Sequence, residues 1–377
     1  MKRVCKNVKI DDPQLILRAV YECFRAAKKR KRADTCVLFA RVLGFSKSAT
    51  KRALLSKDEN YHEGVRRIAD MLRDSIIKRQ LNLPKIRQEV RQDPSSRKLR
   101  LISILGIRQL AFDHIAVLAL EELSARIGEY QVSSIPGRGA AYGKRAVEKW
   151  LSKTSCKYAV KLDIRNFYGS INRELLLGWL RKRIKNEPLL WLLQELICHC
   201  PKGMAIGSYL SQTLANIYLS DLYHLAMERC VNRRGNRQVK HALFYMDDML
   251  LFGTSKRGLK AAVQMLIERA SELGLAIKSN WHVFKIDHQR PVDTMGYRFS
   301  HNTTTLRRRV FKLARRVLLR AKRRYRVQGR LGMRMARRLA SYYGYFVASA
   351  CKSFLARIGA CLTFQLAFKE IASYAKN

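Results

Sequence analysis

Residues 244–253 read FYMDDMLLFG, with two adjacent aspartates, Asp247 and Asp248, inside an otherwise apolar run. A buried carboxylate without a partner is costly, so the pair asks for a cation or a neighbouring base. A third acid, Asp163, stands near the C-terminal end of the strand-like stretch KYAVKLDIRNFYGSI. Carboxylates from separate segments can converge on two divalent cations about 4 Å apart. One metal then lowers the pKa of an attacking hydroxyl and the other stabilises a departing pyrophosphate. Mg²⁺ is hard and oxygen-seeking and shares its shell with substrate phosphates, so it suits such a site. The set would assemble if the two aspartate-bearing segments were neighbours in one sheet. An Asp-Asp pair alone is more often a structural turn, so the surrounding elements decide.

Those elements belong to a strongly basic chain. Its 377 residues carry 75 Lys+Arg against 29 Asp+Glu, a formal net charge of +46. Self-repulsion on that scale calls for a polyanionic partner, nucleic acid above all, because solubility needs far less. An apolar fraction of 47% is ample for a core, and the length suggests two or three domains. Nine scattered cysteines fit reduced thiols better than a disulfide framework. Cys198-His199-Cys200 is too tightly spaced for a usual zinc pair and reads as the end of a helix. The N-terminal MKRVCKNVKIDD lacks an apolar signal core, and no uncharged run nears the ~20 residues that span a bilayer. The expectation is a cytoplasmic protein with no membrane partner.

Residues 1–90 read mostly as helix, with a basic block from Lys28 to Arg32 that suits a solvated or RNA-facing helix end. Pro84 and Pro94 bracket a charged connector. SRKLRLISILG is β-rich, and RQLAFDHIAVLALEELSARIG has helical periodicity. The Gly-rich SSIPGRGAAYG leads into a helix ending at Trp150. Residues 173–197 predict paired helices around Pro188, and IGSYLSQTLANIYLSDLYHLAMERC one long helix. ALFYMDDMLLFG predicts strand–turn–strand, followed by a helix over 256–273; VDTMGYRFSHNTTTLRR predicts a hairpin, with helices from Phe311 onward. Between Asp293 and Glu370 there is no acid, and 307–338 holds fifteen Lys/Arg.

VKLDIRNFYGSI, GMAIGSYLSQTLANIYLSDL, FYMDDMLLF, LGLAIKSNWHVF and MGYRFSHNTTTLRRR stand in the order of successive reverse transcriptase motifs. Over roughly residues 95–350 the chain resembles the bacterial non-retroviral enzymes of that family. That group holds retrons, group II intron proteins, diversity-generating retroelements and defence-associated reverse transcriptases. The resemblance implies an α+β right-hand polymerase fold. A helical N-terminal region over 1–90 would precede fingers and palm over 91–300, with an antiparallel sheet and helices in the palm, and a basic helical thumb over 301–377.

The resemblance also implies roles. Asp163 and Asp247 would ligate two Mg²⁺ ions, with Mn²⁺ as a substitute; Asp248 would assist, and the Ile164 carbonyl would add a ligand. Tyr168 matches the aromatic gate that excludes a ribose 2′-hydroxyl. Lys98 and Arg100 match residues that grip the incoming triphosphate, for which a forked guanidinium is suited. Tyr245 and Met246 would touch the primer end, Gly296-Tyr297 matches the primer grip, and Lys278 the lysine after the L-G-L segment.

Two features depart from the common pattern. Where many relatives have Gln-Gly and then Ser-Pro, this chain has Ile206-Gly207 and then Ser211-Gln212 beside the nucleotide pocket. That form resembles diversity-generating enzymes, in which the apolar residue goes with poor fidelity; yet residues 1–90 exceed the short N-terminal segment expected of those enzymes. The function implied is an RNA-directed DNA polymerase making cDNA from a dedicated non-coding RNA in antiviral defence. The alternative is error-prone cDNA synthesis in a diversity-generating element. A non-catalytic RNA-binding scaffold fits the intact aspartates less well, and Tyr168 argues against RNA synthesis. RNA template, DNA product and dNTPs are the expected partners, with an accessory protein or a second copy of the chain.

Overall fold

The computed structural model describes residues 3–92, 99–152 and 156–376, and the chain is helical up to Ile77. Capping side chains explain where these helices begin. Asp12 accepts from the Gln14 amide to start α1 (Pro13–Phe24), Ser46 starts α4 (Lys47–Ser56), and Asp58 starts α5 (Glu59–Ile77). Between them lie α2 (Ala27–Arg30) and α3 (Ala33–Leu43), the latter stopped by Gly44 at φ +68°. Helix ends earlier than the expected position 90. Arg79 and Asn82 adopt positive φ and Pro84 follows, so the chain runs extended into β1 (Arg87–Gln92).

β1 pairs antiparallel with β2 (Leu99–Ile104), and this ribbon is largely exposed. Next come α6 (Ile107–Ala119), buried nearly all round, α7 (Glu121–Ser124) and α8 (Ala140–Leu151). β3 (Tyr158–Asp163) leads through α9 (Phe167–Ser170) to the neighbouring helices α10 (Arg173–Arg181) and α11 (Glu187–Cys198), with Pro188 in the first turn of α11. α12 (Tyr209–His224) is the central helix. It buries Leu214, Ile217, Tyr218 and Leu222 with polar Asn216 and Ser220, so it shows no polar face, and its last turn, Leu225–Arg229, widens to a π-helix.

β4 (His241–Tyr245) and β5 (Asp248–Gly253) form a hairpin, followed by α13 (Lys256–Glu272) and β6 (Val283–Lys285). The resulting four-stranded antiparallel sheet has the order β4-β5-β3-β6. Both of its faces are covered. Val160, Leu162, Met249 and Leu251 join the core shared with the N-terminal helices, whereas Ala159, Leu250 and Phe252 join a second core shared with the C-terminal helices. That is why FYMDDMLLFG reads as a continuous apolar run rather than an alternating one.

Residues 292–306 form a three-stranded antiparallel sheet, β7 (Val292–Thr294), β8 (Tyr297–Phe299) and β9 (Thr304–Leu306), rather than one hairpin. A second reversal, closed by the Ser300 amide on the Thr303 carbonyl at 2.9 Å, adds the third strand. α14 (Arg308–Gln328), α15 (Met333–Val347), α16 (Lys352–Arg357) and α17 (Ala360–Lys376) complete the chain. Among the described residues no disulfide forms, and no helix is long and apolar enough to cross a membrane.

Candidate active site

Strand register brings the acids together. β3 and β5 pair Asp163 with Asp248, and β4 and β5 pair Tyr245 with Asp248, which leaves Met246 and Asp247 as a two-residue turn. Met246 takes φ +57°, a left-handed conformation uncommon for a bulky side chain and one that a tight hairpin turn requires at its first central position. The two aspartates therefore stand at the rim of the sheet, directly across from the end of β3.

Each outer acid has a lysine. Lys278 Nζ lies 2.6 Å from Asp163 Oδ1, and the Lys278 amide donates to the Asp163 carbonyl at 2.9 Å. Lys161, two residues before Asp163 and on the same strand face, places Nζ 3.2 Å from Asp248 Oδ1. Ile164 bridges Ile277, which sets the Lys278 segment beside β3. Burial raises the Asp247 pKa, and the neighbouring charges of Asp248 and Asp163 raise it further while Arg100 opposes them. The Tyr168 phenol is held up by burial and then by the charge of Asp247, so its hydroxyl lies within electrostatic reach of that acid.

The donor set fits a hard divalent cation. It consists of carboxylate oxygens that repel one another and already draw two ammonium groups, so the site demands positive charge. Asp163 Oδ1 is buried and makes no hydrogen bond; its lysine contact is an ion pair off the direction a hydrogen bond requires. Among the described residues no three His, Cys, Asp or Glu side chains close into a metal cluster.

The other expected residues surround this rim unevenly. Arg100 sits on β2 opposite Arg91 and within electrostatic reach of Asp247, whereas Lys98 lies outside the described residues. The Ile206 carbonyl accepts from the Ser103 amide at 3.1 Å, tying this turn to β2, and Gly207 has φ +110°. A Cβ at Gly207 would stand 3.2 Å from the Ser103 carbonyl oxygen. Gln212 is half-buried in the first turn of α12, and Tyr245 is 36% exposed at the hairpin end. Gly296 has φ +87°, and a Cβ there would come within 3.0 Å of the Tyr345 ring of α15, which also packs on Tyr297 at 5.3 Å. Cys198 does end α11, and the His199 ring bonds the Pro84 carbonyl at 3.0 Å.

Sequence reasoning passed over Lys161, Asp113 and Tyr345. Lys161 was signalled by its spacing of two from Asp163, and Asp113 as a lone acid in the apolar helix LAFDHIAVLAL. Tyr345 carried no local signal, because its contact with the Gly296 turn is tertiary.

A family model described as reverse transcriptase (RNA-dependent DNA polymerase) matches residues 88–299, from β1 through β8. No curated protein matches the chain. Among solved structures, a telomerase from Candida albicans in complex with a TWJ fragment of telomeric RNA is similar at 10% identity and TM-score 0.43, over 63% of this chain and 50% of that one. A structure described as an RdRp complex is similar at 13% identity and TM-score 0.42, over 67% of this chain and 26% of that one. This chain thus spans half the matched telomerase chain and about a quarter of the other.

Proposed function

The chain belongs to the reverse transcriptase family, and from that premise we propose that it copies a dedicated non-coding RNA into DNA by two-metal nucleotidyl transfer. The observation that carries this reading is the register that sets Asp163 across from Asp248 with Asp247 at the adjoining turn. Asp163 and Asp247 would hold the metals, helped by Asp248 and the Ile164 carbonyl. When bound, such ions activate the primer hydroxyl and neutralise the departing pyrophosphate.

The chain's own groups do the rest. Arg100 faces the acids from the fingers ribbon, where its guanidinium can fork onto a triphosphate. The half-buried Tyr168 ring, within electrostatic reach of Asp247, would exclude a 2′-hydroxyl and select deoxynucleotides. Tyr245, exposed at the hairpin end, and the Gly296–Tyr297 turn receive the primer terminus.

The biological setting is antiviral defence in a bacterial cytoplasm, a reading supported by the five helices that precede the family match. Ile206 favours a second setting, diversity generation, since it offers no donor or acceptor to the nucleotide. The deciding assay is primer extension on an RNA template with dNTPs and Mg²⁺. Wild type should extend the primer, Asp163→Asn and Asp247→Asn should not, and Asp248→Asn should retain a fraction, with RNA affinity and circular dichroism unchanged throughout. Full extension by Asp247→Asn would sink the assignment. Sequencing of RNA and DNA co-purified with the protein identifies the template.

A further inference from the structure

The N-terminal helices lie before the family match, yet one of their lysines connects, through α6, to the start of α12, the helix that follows Ile206 and Gly207. Lys29 of α2 places Nζ 2.9 Å from Nε2 of His114 in α6. His114 is buried and its pKa is lowered to about 3, by burial and then by Lys29, so the imidazole is neutral and Nε2 accepts from the ammonium. The same ring packs on Tyr209, the first residue of α12, at 4.6 Å between centroids.

The residue beside His114 completes the contact. Asp113 is 1% exposed, and its Oδ2 accepts the Ser208 hydroxyl at 2.6 Å, while the nearby Tyr209 and Leu210 amides draw its pKa down against burial. Ser208 is the N-cap of α12, and its hydroxyl oxygen accepts from the Ser211 amide at 3.0 Å. An acid from α6 therefore holds the N-cap residue of α12 across 95 residues, in addition to the cap that Ser208 itself makes. The Lys29 charge also draws the pKa of that buried carboxyl down, against burial. The turn directly before the cap, Ile206–Gly207, is fastened on its other side to Ser103 of β2.

We infer that Lys29 is a positioning residue for nucleotide selection: through His114 and Asp113 it clamps the first turn of α12 and thereby sets the Ile206–Gly207 turn against the incoming nucleotide. This rests on the polymerase reading above. A lysine that only anchored the N-terminal helices would need no contact with the ring packed against Tyr209, which adjoins the acid that holds the α12 N-cap. Its neighbours already supply anchorage: Arg30 donates to the carbonyls of Phe24 and Leu54, and the Thr35 hydroxyl donates to the Lys29 carbonyl.

The test uses the full chain with Lys29→Met, Lys29→Arg and His114→Gln. On a primed RNA template Lys29→Met should raise KM for the correct dNTP about tenfold, the cost of one charge-assisted hydrogen bond, with kcat within about twofold. Misincorporation should rise, and Lys29→Arg should restore both. Amide hydrogen exchange over residues 206–211 should accelerate in Lys29→Met and in His114→Gln, with the rest of α12 unchanged. An unchanged KM in an active Lys29→Met variant overturns the inference, as does a fall in kcat and Tm together without a KM effect. A wild type inactive on every template would instead sink the polymerase reading, and exchange would still decide the clamp. Unaltered exchange over 206–211 overturns it.

Discussion

At the scale of single residues, a side chain's role depends on its partners more than on its type. Burial pushes the Asp247 carboxyl up, whereas Asp163 and Asp248 each hold a lysine. Ile206 is decided by what it lacks. A glutamine there could hydrogen-bond the nucleotide, so Ile206→Gln should lower misincorporation, most visibly opposite template adenine, with little change in overall rate. Copying a defined RNA with both proteins and sequencing the products checks this, and equal error spectra would remove the support for diversity generation. His114 and Asp113 make a pH prediction. An unfolded imidazole titrates near 6.5 and the folded one near 3, so between those values the unfolded chain binds more protons and falling pH costs stability. The Asp113 carboxyl is raised to about 7 by burial, so between about 4 and 7 the folded chain binds more protons and rising pH costs stability. The two slopes, each up to ~1.4 kcal/mol per pH unit, oppose one another. His114→Gln leaves Asp113 alone, so its stability should fall relative to wild type as pH rises from 4.5 to 7. Denaturant unfolding at both pH values measures this; parallel curves for the two proteins would refute it.

At the scale of elements, periodicity made long helices legible and left short strands obscure. α14 shows why. Ala314, Val317, Leu318 and Ala321 recur at helical spacing and are all buried, so the sequence announces both the helix and its inward face. The three-residue strands β7 to β9 carry too few positions for any period, and only their mutual pairing defines them. The Asp247–Asp248 hairpin was legible because its motif is local; Asp113, which meets the α12 N-cap Ser208 from 95 residues away, was not. The face of α14 turned away from the core bears Lys312, Arg315, Arg316, Arg320 and Arg323 around a concavity of about 440 Å³. Such a stripe suits a nucleic-acid backbone. Changing Arg315, Arg316, Arg320 and Arg323 to Gln should weaken binding to all sequences alike and reduce the slope of log K against log salt by roughly 3–4. Fluorescence anisotropy with two unrelated duplexes over a salt series measures this, and a variant with the wild-type slope would assign this face to another partner.

At the scale of the whole molecule, charge opposes the fold that the two cores support. The net charge of +46 is unevenly placed, since no acid falls between Asp293 and Glu370 to offset the cations of α14 and α15. The ion pairs away from the hairpin act locally: Arg183 and Arg269 share Asp221, Arg18 bonds Glu22 and Glu121, and Arg66 and Arg67 bond Glu63. They leave the long-range repulsion among the remaining cations in place. Added NaCl shortens the Debye length from ~10 Å at 0.1 M to ~3 Å at 1 M, which screens exposed like charges while weakening surface pairs worth only ~1 kcal/mol or less. Repulsion is the larger sum here, because the cations outnumber the acids by 75 to 29. Nuclease-treated protein should therefore gain thermal stability as NaCl rises from low to moderate concentration. The same protein bound to RNA should lose it, because the complex depends on phosphate contacts that salt dissolves. Two thermal-unfolding series, with and without RNA, should slope in opposite directions. A free protein whose Tm falls with salt would mean that its ion pairs outweigh its repulsion, and that nucleic acid is not what relieves this charge.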